Sequence, residues 1–372
     1  MALTLIHTAD WHLGKRFPGF TESQQTTLSR ARLDVLDKVF GEADKCGADA
    51  VLCAGDLFDE PNPSSQWWEG LASRLGRTNP TRPVFLLPGN HDPLTPTSVW
   101  AATHPMRSRL PKHCHVVDRR NQEFVLGPNA VLYASPCLSA AGQEDLALAL
   151  PRREPGDGRI RIGLVHGSTF DMPNHQANFP IARDAATRGG FDYLAIGDTH
   201  AFRVMPDDGS PPIVYPSAPE ATNFGEKDTG FVALVLVRTS RKVRVERAPV
   251  ATWTWETCRV QSIDELRALA NRRDLSHRVM RLAVDIRLGP KEYEEAEKLL
   301  EKLSGTEASQ PLVGILTIDG RPSLDTRDIE AVFAEMPDAV RAAAALLVKQ
   351  QLTSPAAVER ALFHLYELSR GS

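Results

Sequence analysis

The sequence has no CxxC pair, no long apolar run, no internal repeat and no strong charge bias, and each absence excludes a class of protein. The five cysteines (Cys46, Cys53, Cys114, Cys137 and Cys258) are odd in number and scattered. That speaks against a disulfide framework and for reduced thiols, as expected of a cytoplasmic protein. No apolar stretch approaches the roughly 20 residues that a spanning helix needs, so no membrane is expected as a partner. The chain opens on the strand-like run Leu3–Thr8 without a basic stretch and apolar h-region, so no secretory signal is expected. Lys and Arg number 43 against 47 Asp and Glu, a net charge of −4. Such a balance excludes a chain held to nucleic acid by overall charge, and leaves that task to local basic patches or bound cations. Gly- or Ser-rich linkers are missing too, and so is a Walker A phosphate loop, so any ATPase must come from another chain.

What is present at the start is an alternation of strand and helix. Thr4–Thr8, Ala50–Ala54 and Val84–Leu87 read as short buried strands. Leu28–Cys46 carries an apolar stripe at Leu28, Leu33, Leu36, Val39 and Phe40, and Ser65–Leu75 reads as a second helix. From Phe124 the pattern turns to strands divided by Gly, Pro and Asp: Phe124–Leu126, Ala130–Ser135, Arg159–Val165, Asp192–Ile196, Ile213–Tyr215, Phe231–Val237 and Lys242–Glu246. The class predicted is α/β, a two-sheet sandwich flanked by helices. Beyond Trp253-Thr254-Trp255 a smaller α/β domain follows: a helix at Ile263–Ala270, an alternating strand at Val279–Leu288, a helix at Glu292–Leu303 and a strand at Leu312–Ile318. Helices at Asp325–Glu335, Pro337–Gln351 and Ser354–Ser369 close the chain, the last with Ser354 as N-cap and Pro355 at the first helical position. The expected domains are 1–255, 256–324 and the C-terminal helices of 325–372.

The side chains that best suit a metal site sit in five short segments, each after a predicted strand. They are Asp10-Trp11-His12, Gly55-Asp56-Leu57-Phe58-Asp59, Gly89-Asn90-His91-Asp92, Val165-His166-Gly167 and Gly197-Asp198-Thr199-His200. Asp10 and His12 lie two apart in what reads as extended chain, so both would point the same way. Asp56 is a natural bridging carboxylate, and Asn90 supplies a neutral oxygen. Two cations ~3.5–4 Å apart can clamp a phosphoryl oxygen and generate hydroxide near neutral pH. Mixed nitrogen and oxygen donors suit Mn²⁺, Fe, Co or Zn better than Mg²⁺. Any one segment is a weak signal. The five together are specific, because so many buried Asp and His without partners would destabilise the fold.

In this order the segments resemble the calcineurin-like metallophosphoesterase superfamily. Within it, His7–Gly14 and Gly55–Asp59 look like the SbcD-type DNA repair nucleases, bacterial relatives of the MRE nuclease, as do Tyr215–Glu220 and Phe224–Phe231. The resemblance is specific over residues 1–240 and only architectural beyond. It implies that Asp10, His12, Asp56 and His200 hold a first divalent ion, and Asp56, Asn90, His166 and Asp198 a second. Mn²⁺ is the ion expected first, with Mg²⁺, Fe, Co or Zn as alternatives. His91 would stay off the metals and help the leaving oxygen, with Asp92 orienting it. The family usually has His where this chain has Asp198, a departure expected to favour harder ions, or to weaken the second metal.

The resemblance also implies a metal-dependent DNA phosphodiesterase, exonuclease or endonuclease, in repair or processing. Residues 256–324 would form its capping domain, limiting how DNA enters. The C-terminal helices would dock on an SMC-like ATPase, and a homodimer is expected. The stripes Val340, Ala343, Ala344, Leu347 and Val358, Ala361, Leu362, Leu365 fit that docking, or packing within the chain. Lys15 and Arg16 could hold a DNA phosphate, or be merely solvated. His7 reads as a packed strand residue, Asp59 as a loop hydrogen-bonder, Trp67-Trp68 as helix packing, and His113-Cys114-His115 as a loop rather than a zinc site. Arg152, Arg153, Arg159 and Arg161 make a diluted basic stretch, and His175 could face substrate. Two rival readings remain: a phosphoesterase acting on nucleotides or phosphoproteins, and a catalytically silent DNA- and partner-binding scaffold.

Overall fold

The computed structural model describes residues 2–169, 177–305, 310–325, 329–349 and 355–370. They form two compact units, Met1–Thr254 and Trp255–Ser372. The first unit runs through β1 (Leu3–Thr8), α1 (Glu22–Lys45), β2 (Ala50–Cys53), α2 (Ser65–Leu75), β3 (Val84–Leu86), α3 (Pro105–Arg109), β4 (Cys114–Val116), β5 (Gln122–Gly127), β6 (Ala130–Ala134), β7 (Ile160–His166), α4 (Ala185–Gly189), β8 (Tyr193–Gly197), β9 (Phe202–Met205), β10 (Ile213–Pro216), β11 (Phe231–Val237) and β12 (Val243–Pro249). It holds two six-stranded sheets, ordered β12-β11-β1-β2-β3-β4 and β5-β6-β7-β8-β10-β9. In each, four neighbouring strands are parallel (β1 to β4 in one, β6, β7, β8 and β10 in the other), and the remaining strands pair antiparallel.

Strand alternation decides where each side chain goes. Leu5, Ala50, Leu52 and Phe85 enter a core shared with Leu132, Ile162, Leu164 and Val214 of the other sheet. Their sequence neighbours Ile6, Val51, Cys53, Val84 and Leu86 face the opposite way, onto Val35, Leu36 and Val39 of α1 and Leu71 and Leu75 of α2. The second sheet's outer face carries Val131, Val165 and Ile196 beneath Ala185 and Ala186 of α4. The layers are therefore α/β/β/α, the two-sheet α/β class that the sequence predicts. Each fully buried Leu or Val here stabilises the fold by roughly 1.5–3 kcal/mol.

β13 (Thr254–Val260) leads into the second unit, which continues with α5 (Ile263–Ala270), β14 (Arg278–Val284), β15 (Arg287–Leu288), α6 (Pro290–Ser304), β16 (Ile315–Asp319), β17 (Ser323–Leu324), α7 (Ile329–Val332), α8 (Asp338–Lys349) and α9 (Pro355–Arg370). Its sheets are β13-β14-β16 and β15-β17. Met280, Leu282, Leu266 and Ala296 share one core with Phe333, Ala344, Leu362 and Tyr366. The terminal helices thus turn Val340, Ala344, Leu347, Val358, Leu362 and Leu365 toward their own unit. Ser354, read as an N-cap, lies outside the described residues. Among the described residues no helix is long and apolar enough to cross a membrane.

Candidate metal centre

The parallel strands of both sheets end where the candidate ligands begin. Asp10 and His12 follow β1, Asp56 follows β2, and Asn90 and His91 follow β3. His166 is the last residue of β7, and Asp198 and His200 follow β8. The crevice outside the carboxyl ends of such strands is where α/β folds place ligands.

The chain after β1 is not extended, contrary to the expectation for Asp10 and His12. Their φ angles are +55° and +45°, with Asp56 at +53° and Asp198 at +104°. Non-glycine residues seldom hold such backbone, and its strain concentrates at functional sites. Cross-loop bonds impose it: Asp10 N–H donates to Gly55 O and His12 N–H to Asp56 O, each at 3.0 Å. Two glycines make room for the centre. A Cβ at Gly89 would sit 2.2 Å from Asp56 Oδ1, and one at Gly55, whose φ is +93°, 2.3 Å from His166 Nδ1.

Asp10, His12 and His200 bring one ligand atom each within 4.8 Å of one another, and so do Asp10, Asp56 and His166. His12, Asp56 and His91 form a third such group. Asn90 Oδ1 lies 2.8 Å from His166 Nε2, and Asp198 Oδ1 3.9 Å from the same nitrogen. All seven predicted ligands therefore meet in one crevice, with His91 beside them. Asp10, like Asp56, lies in two of the three groups, a sharing that the resemblance had not implied for Asp10.

Each of the three imidazoles is anchored at Nδ1. His12 faces Asp59 Oδ1 at 3.0 Å, His200 faces Glu226 Oε1 at 2.7 Å, and His166 faces Ala54 O at 2.8 Å. The Nε2 atoms consequently turn inward, the orientation that ligating histidines take. His12 Nε2 and His200 Nε2 are only 3.1 Å apart. Two imidazole nitrogens at that distance repel unless one carries a proton, or both face a cation. Burial holds His12 down to about 4, in the neutral form that metals require. Burial alone would also lower His166, yet Asp56, Asp10 and Asp198 raise it to about 10. Without a cation, the carboxylates keep a proton there instead. Burial raises Asp10 to about 7, against the pull of His200 and His166. For Asp56 burial acts upward too, but His166, His12 and His91 bring it below the usual carboxylate range. This donor set fits divalent cations, whose charge would replace the proton and relieve the crowding.

His91 is exposed, and its Nδ1 lies 3.1 Å from the backbone oxygen of Asp59. Asp92 does not orient that ring, a correction to the expectation. Its buried carboxylate instead accepts from Leu57 N–H at 3.0 Å, Phe58 N–H at 3.1 Å and Gly89 N–H at 2.8 Å, tying the Asp56 loop to the Asn90 loop. Burial, then Asp56, raises Asp92 to about 8. Lys15 Nζ reaches Asp59 Oδ1 at 3.3 Å, while Arg16 is exposed. Sequence reasoning missed Glu226 and Arg32. Arg32 is buried in α1 and donates to Trp11 O at 3.1 Å, Glu220 O at 3.0 Å and Ala221 O at 2.9 Å. A charged residue on the inner stripe of α1, beside Leu36 and Val39, was the available signal for Arg32; Glu226 lies in the Phe224–Phe231 stretch, which the resemblance marked only as a segment.

The other readings resolve individually. His7 is buried against Tyr193 Oη at 2.8 Å. Trp68 packs on His104 with Arg109 over its ring. His113 bonds Thr78, whereas His115 stacks on Phe85 within strand β4 rather than in a loop. Arg153, Arg159 and Arg161 bind Asp157 or Asp192. His175 lies outside the described residues.

The sequence model of the calcineurin-like phosphoesterase family matches residues 3–202, and the chain belongs to that family. It is 26% identical over 260 residues to the uncharacterized metallophosphoesterase YhaO of Bacillus subtilis (strain 168), covering 68% of this chain and 62% of that protein. Over 94 residues it is 36% identical to the SbcD component of the nuclease SbcCD of Rhodobacter capsulatus, a stretch covering 24% of this chain and 22% of the relative. The chain thus spans less than two thirds of either relative. Among solved structures, a dimetal phosphatase from Danio rerio covers 67% of this chain and 98% of its own at 11% identity, with a TM-score of 0.39.

Proposed function

We propose that this chain is a metal-dependent DNA phosphodiesterase, exo- or endonucleolytic, acting in DNA repair or processing. The carrying observation is the convergence of Asp10, His12, Asp56, Asn90, His166, Asp198 and His200 on one crevice, with the three imidazoles anchored to face inward. The DNA part of the reading is supported by the stretch similar to the SbcD component of the nuclease SbcCD. Those seven residues would hold two divalent cations, Mn²⁺ first among them. Bound there, such ions supply Lewis acidity toward a phosphoryl oxygen and lower the pKa of water.

The chain's own residues do the rest. Asp59, Glu226 and the Ala54 carbonyl fix the tautomer of each imidazole. Asp92 holds two loops in register, and His91 N–H donates to Asp56 Oδ1 at 2.9 Å, setting that carboxylate's rotamer. His91 Nδ1–H donates to the Asp59 carbonyl oxygen, so Nε2 is the nitrogen left facing substrate; as an imidazolium the ring would give its Nε2 proton to the departing 3′ oxygen and become neutral. Lys15, beside Asp59, and the exposed Arg16 would meet DNA phosphates. An SMC-like ATPase partner and a homodimer belong to this reading. Leu346 and Val348 on α8 and Leu368 on α9, all exposed, support a docking face for the ATPase.

The test is cleavage of end-labelled single-stranded, duplex and hairpin DNA with Mn²⁺ and with Mg²⁺. Metal-dependent cleavage that Asp56→Ala abolishes is expected. Hydrolysis of a chromogenic diester but of no DNA would favour a phosphoesterase for nucleotides or phosphoproteins. Retained metal and tight DNA binding without hydrolysis would mark a silent scaffold.

A further inference from the structure

The two groups that contain Asp10 differ in chemistry. The first offers two imidazoles, His12 and His200, and the carboxylate of Asp10. Both imidazoles are backed by carboxylates, Asp59 at 3.0 Å and Glu226 at 2.7 Å. Glu226 is itself held in place by Thr222 N–H at 2.8 Å and Asn223 Nδ2 at 3.0 Å. A carboxylate behind an imidazole raises its basicity as a ligand. The second group offers a single imidazole, His166, backed by the neutral Ala54 carbonyl. Everything else on its rim is oxygen: Asp10, Asp56, Asn90 and Asp198.

Asp198 is placed there by its backbone. Its N–H donates to Asp10 Oδ1 at 3.0 Å, the carboxylate common to both groups, and its φ of +104° is one that few side-chain-bearing residues adopt. That conformation leaves the carboxylate 3.9 Å from the inward nitrogen of His166. An imidazole at this position would make the groups nearly alike, with two nitrogens each. The aspartate makes them unlike and adds a negative charge to the oxygen-rich side.

We propose that the two positions select different ions, the imidazole-rich one a borderline ion such as Zn²⁺ and the oxygen-rich one Mn²⁺ or Mg²⁺, with Asp198 setting the difference. Imidazole suits Zn²⁺ and Fe²⁺, whereas carboxylate and carbonyl oxygens suit Mg²⁺ and Mn²⁺. Zn²⁺ outcompetes Mn²⁺ at most mixed sites, so the asymmetry shows when Zn²⁺ is limiting and Mn²⁺ abundant. This inference rests on the two-cation reading above and deepens it.

The experiment strips the full chain with chelator, adds excess Mn²⁺, titrates Zn²⁺, and counts retained metals after desalting. Mn²⁺ electron paramagnetic resonance reports in parallel whether the manganese ions are paired or isolated. The expected course is one Zn²⁺ entering tightly while one Mn²⁺ stays and its signal turns from paired to isolated. The second Zn²⁺ should bind about tenfold or more weakly than the first. Asp198→His should close that gap and release the remaining Mn²⁺. Asp198→Asn, which keeps size and removes charge, should weaken Mn²⁺ about tenfold and leave the first Zn²⁺ unchanged. A single affinity for two Zn²⁺, or a Mn-to-Zn ratio unmoved by both substitutions, would overturn the inference and leave the two-cation reading standing. A chain that retains neither ion would overturn both.

Discussion

The two units bury different kinds of side chain. Among the described residues, every wholly buried Asp, Glu, Arg, His, Gln, Ser and Thr lies in the first, from His7 to Thr222, including Asp10, Asp56, Asp92 and His166. So does every non-glycine residue with positive φ. The second unit buries an apolar cluster, and its charges pair at or near the surface, as Arg267 does with Glu295 and Arg272 with Glu256. One chain thus shows what a core looks like when only stability shapes it, and what it looks like when chemistry must be accommodated. The wholly buried aspartates Asp10, Asp56 and Asp92, and the positive φ of Asp10, His12, Asp56 and Asp198, gather at the crevice, whereas in the described part of the second unit positive φ is confined to glycines, Gly305 and Gly320.

Removing Asp92 should strain that contrast most. Asp92→Ala strands three buried amides, and a loss of roughly 3–5 kcal/mol in chemical unfolding, together with loss of metal uptake, is expected. An unchanged midpoint would show that water replaces the carboxylate. Leu282→Ala in the second unit should cost about 3 kcal/mol by the same assay, yet leave metal affinity untouched. Weaker metal binding in that variant would mean that the units are energetically one. Acidity offers a third probe. Asp10, raised to about 7, and Asp92, raised to about 8, keep protons in the folded metal-free chain that an unfolded carboxyl releases near pH 4. Their contribution to stability is therefore greatest at low pH and is lost as pH climbs through 7 to 8. Hydrogen exchange of metal-free protein should be faster at pH 8.5 than at pH 5.5, after correction for the intrinsic rate, in peptides from residues 2–169. Peptides from 255–305 should not change, and an equal response there would erase the distinction. Arg259→Ala breaks an exposed pair with Asp285 and should shift stability by no more than about 0.5 kcal/mol.

Much of the architecture is legible in the residues. α2, β11 and α5 fall where their periodicity puts them, because each has a strong apolar pattern and clear ends. α1 starts earlier than its stripe suggests, at Glu22, because Thr21 and Gln24 form a capping box ahead of several polar turns. β9 was missed because an edge strand with half-exposed side chains shows no apolar period. The run Val279–Leu288 reads as one strand, yet it divides into β14, which pairs with β16, and β15, which pairs with β17. Alternation survives the break, so the pattern could not reveal it. The candidate ligands were readable because Asp, Asn and His recur after strands. Their left-handed backbone was not, since bonds between distant loops impose it. Asp92 looked like a partner for His91 by adjacency, whereas its carboxylate turns to main-chain amides.

Arg32 joins three parts of the first unit at one point. Its guanidinium projects from a helix of 24 residues and grips carbonyls of Trp11 on one segment and of Glu220 and Ala221 on another. The helix thereby serves as a common datum for two stretches of chain, the one carrying His12 and the one leading to Glu226. A shift of α1 along its axis would carry both with it, so whatever presses on the outer surface of that helix also has a mechanical grip on the spacing between His12 and the segment leading to Glu226.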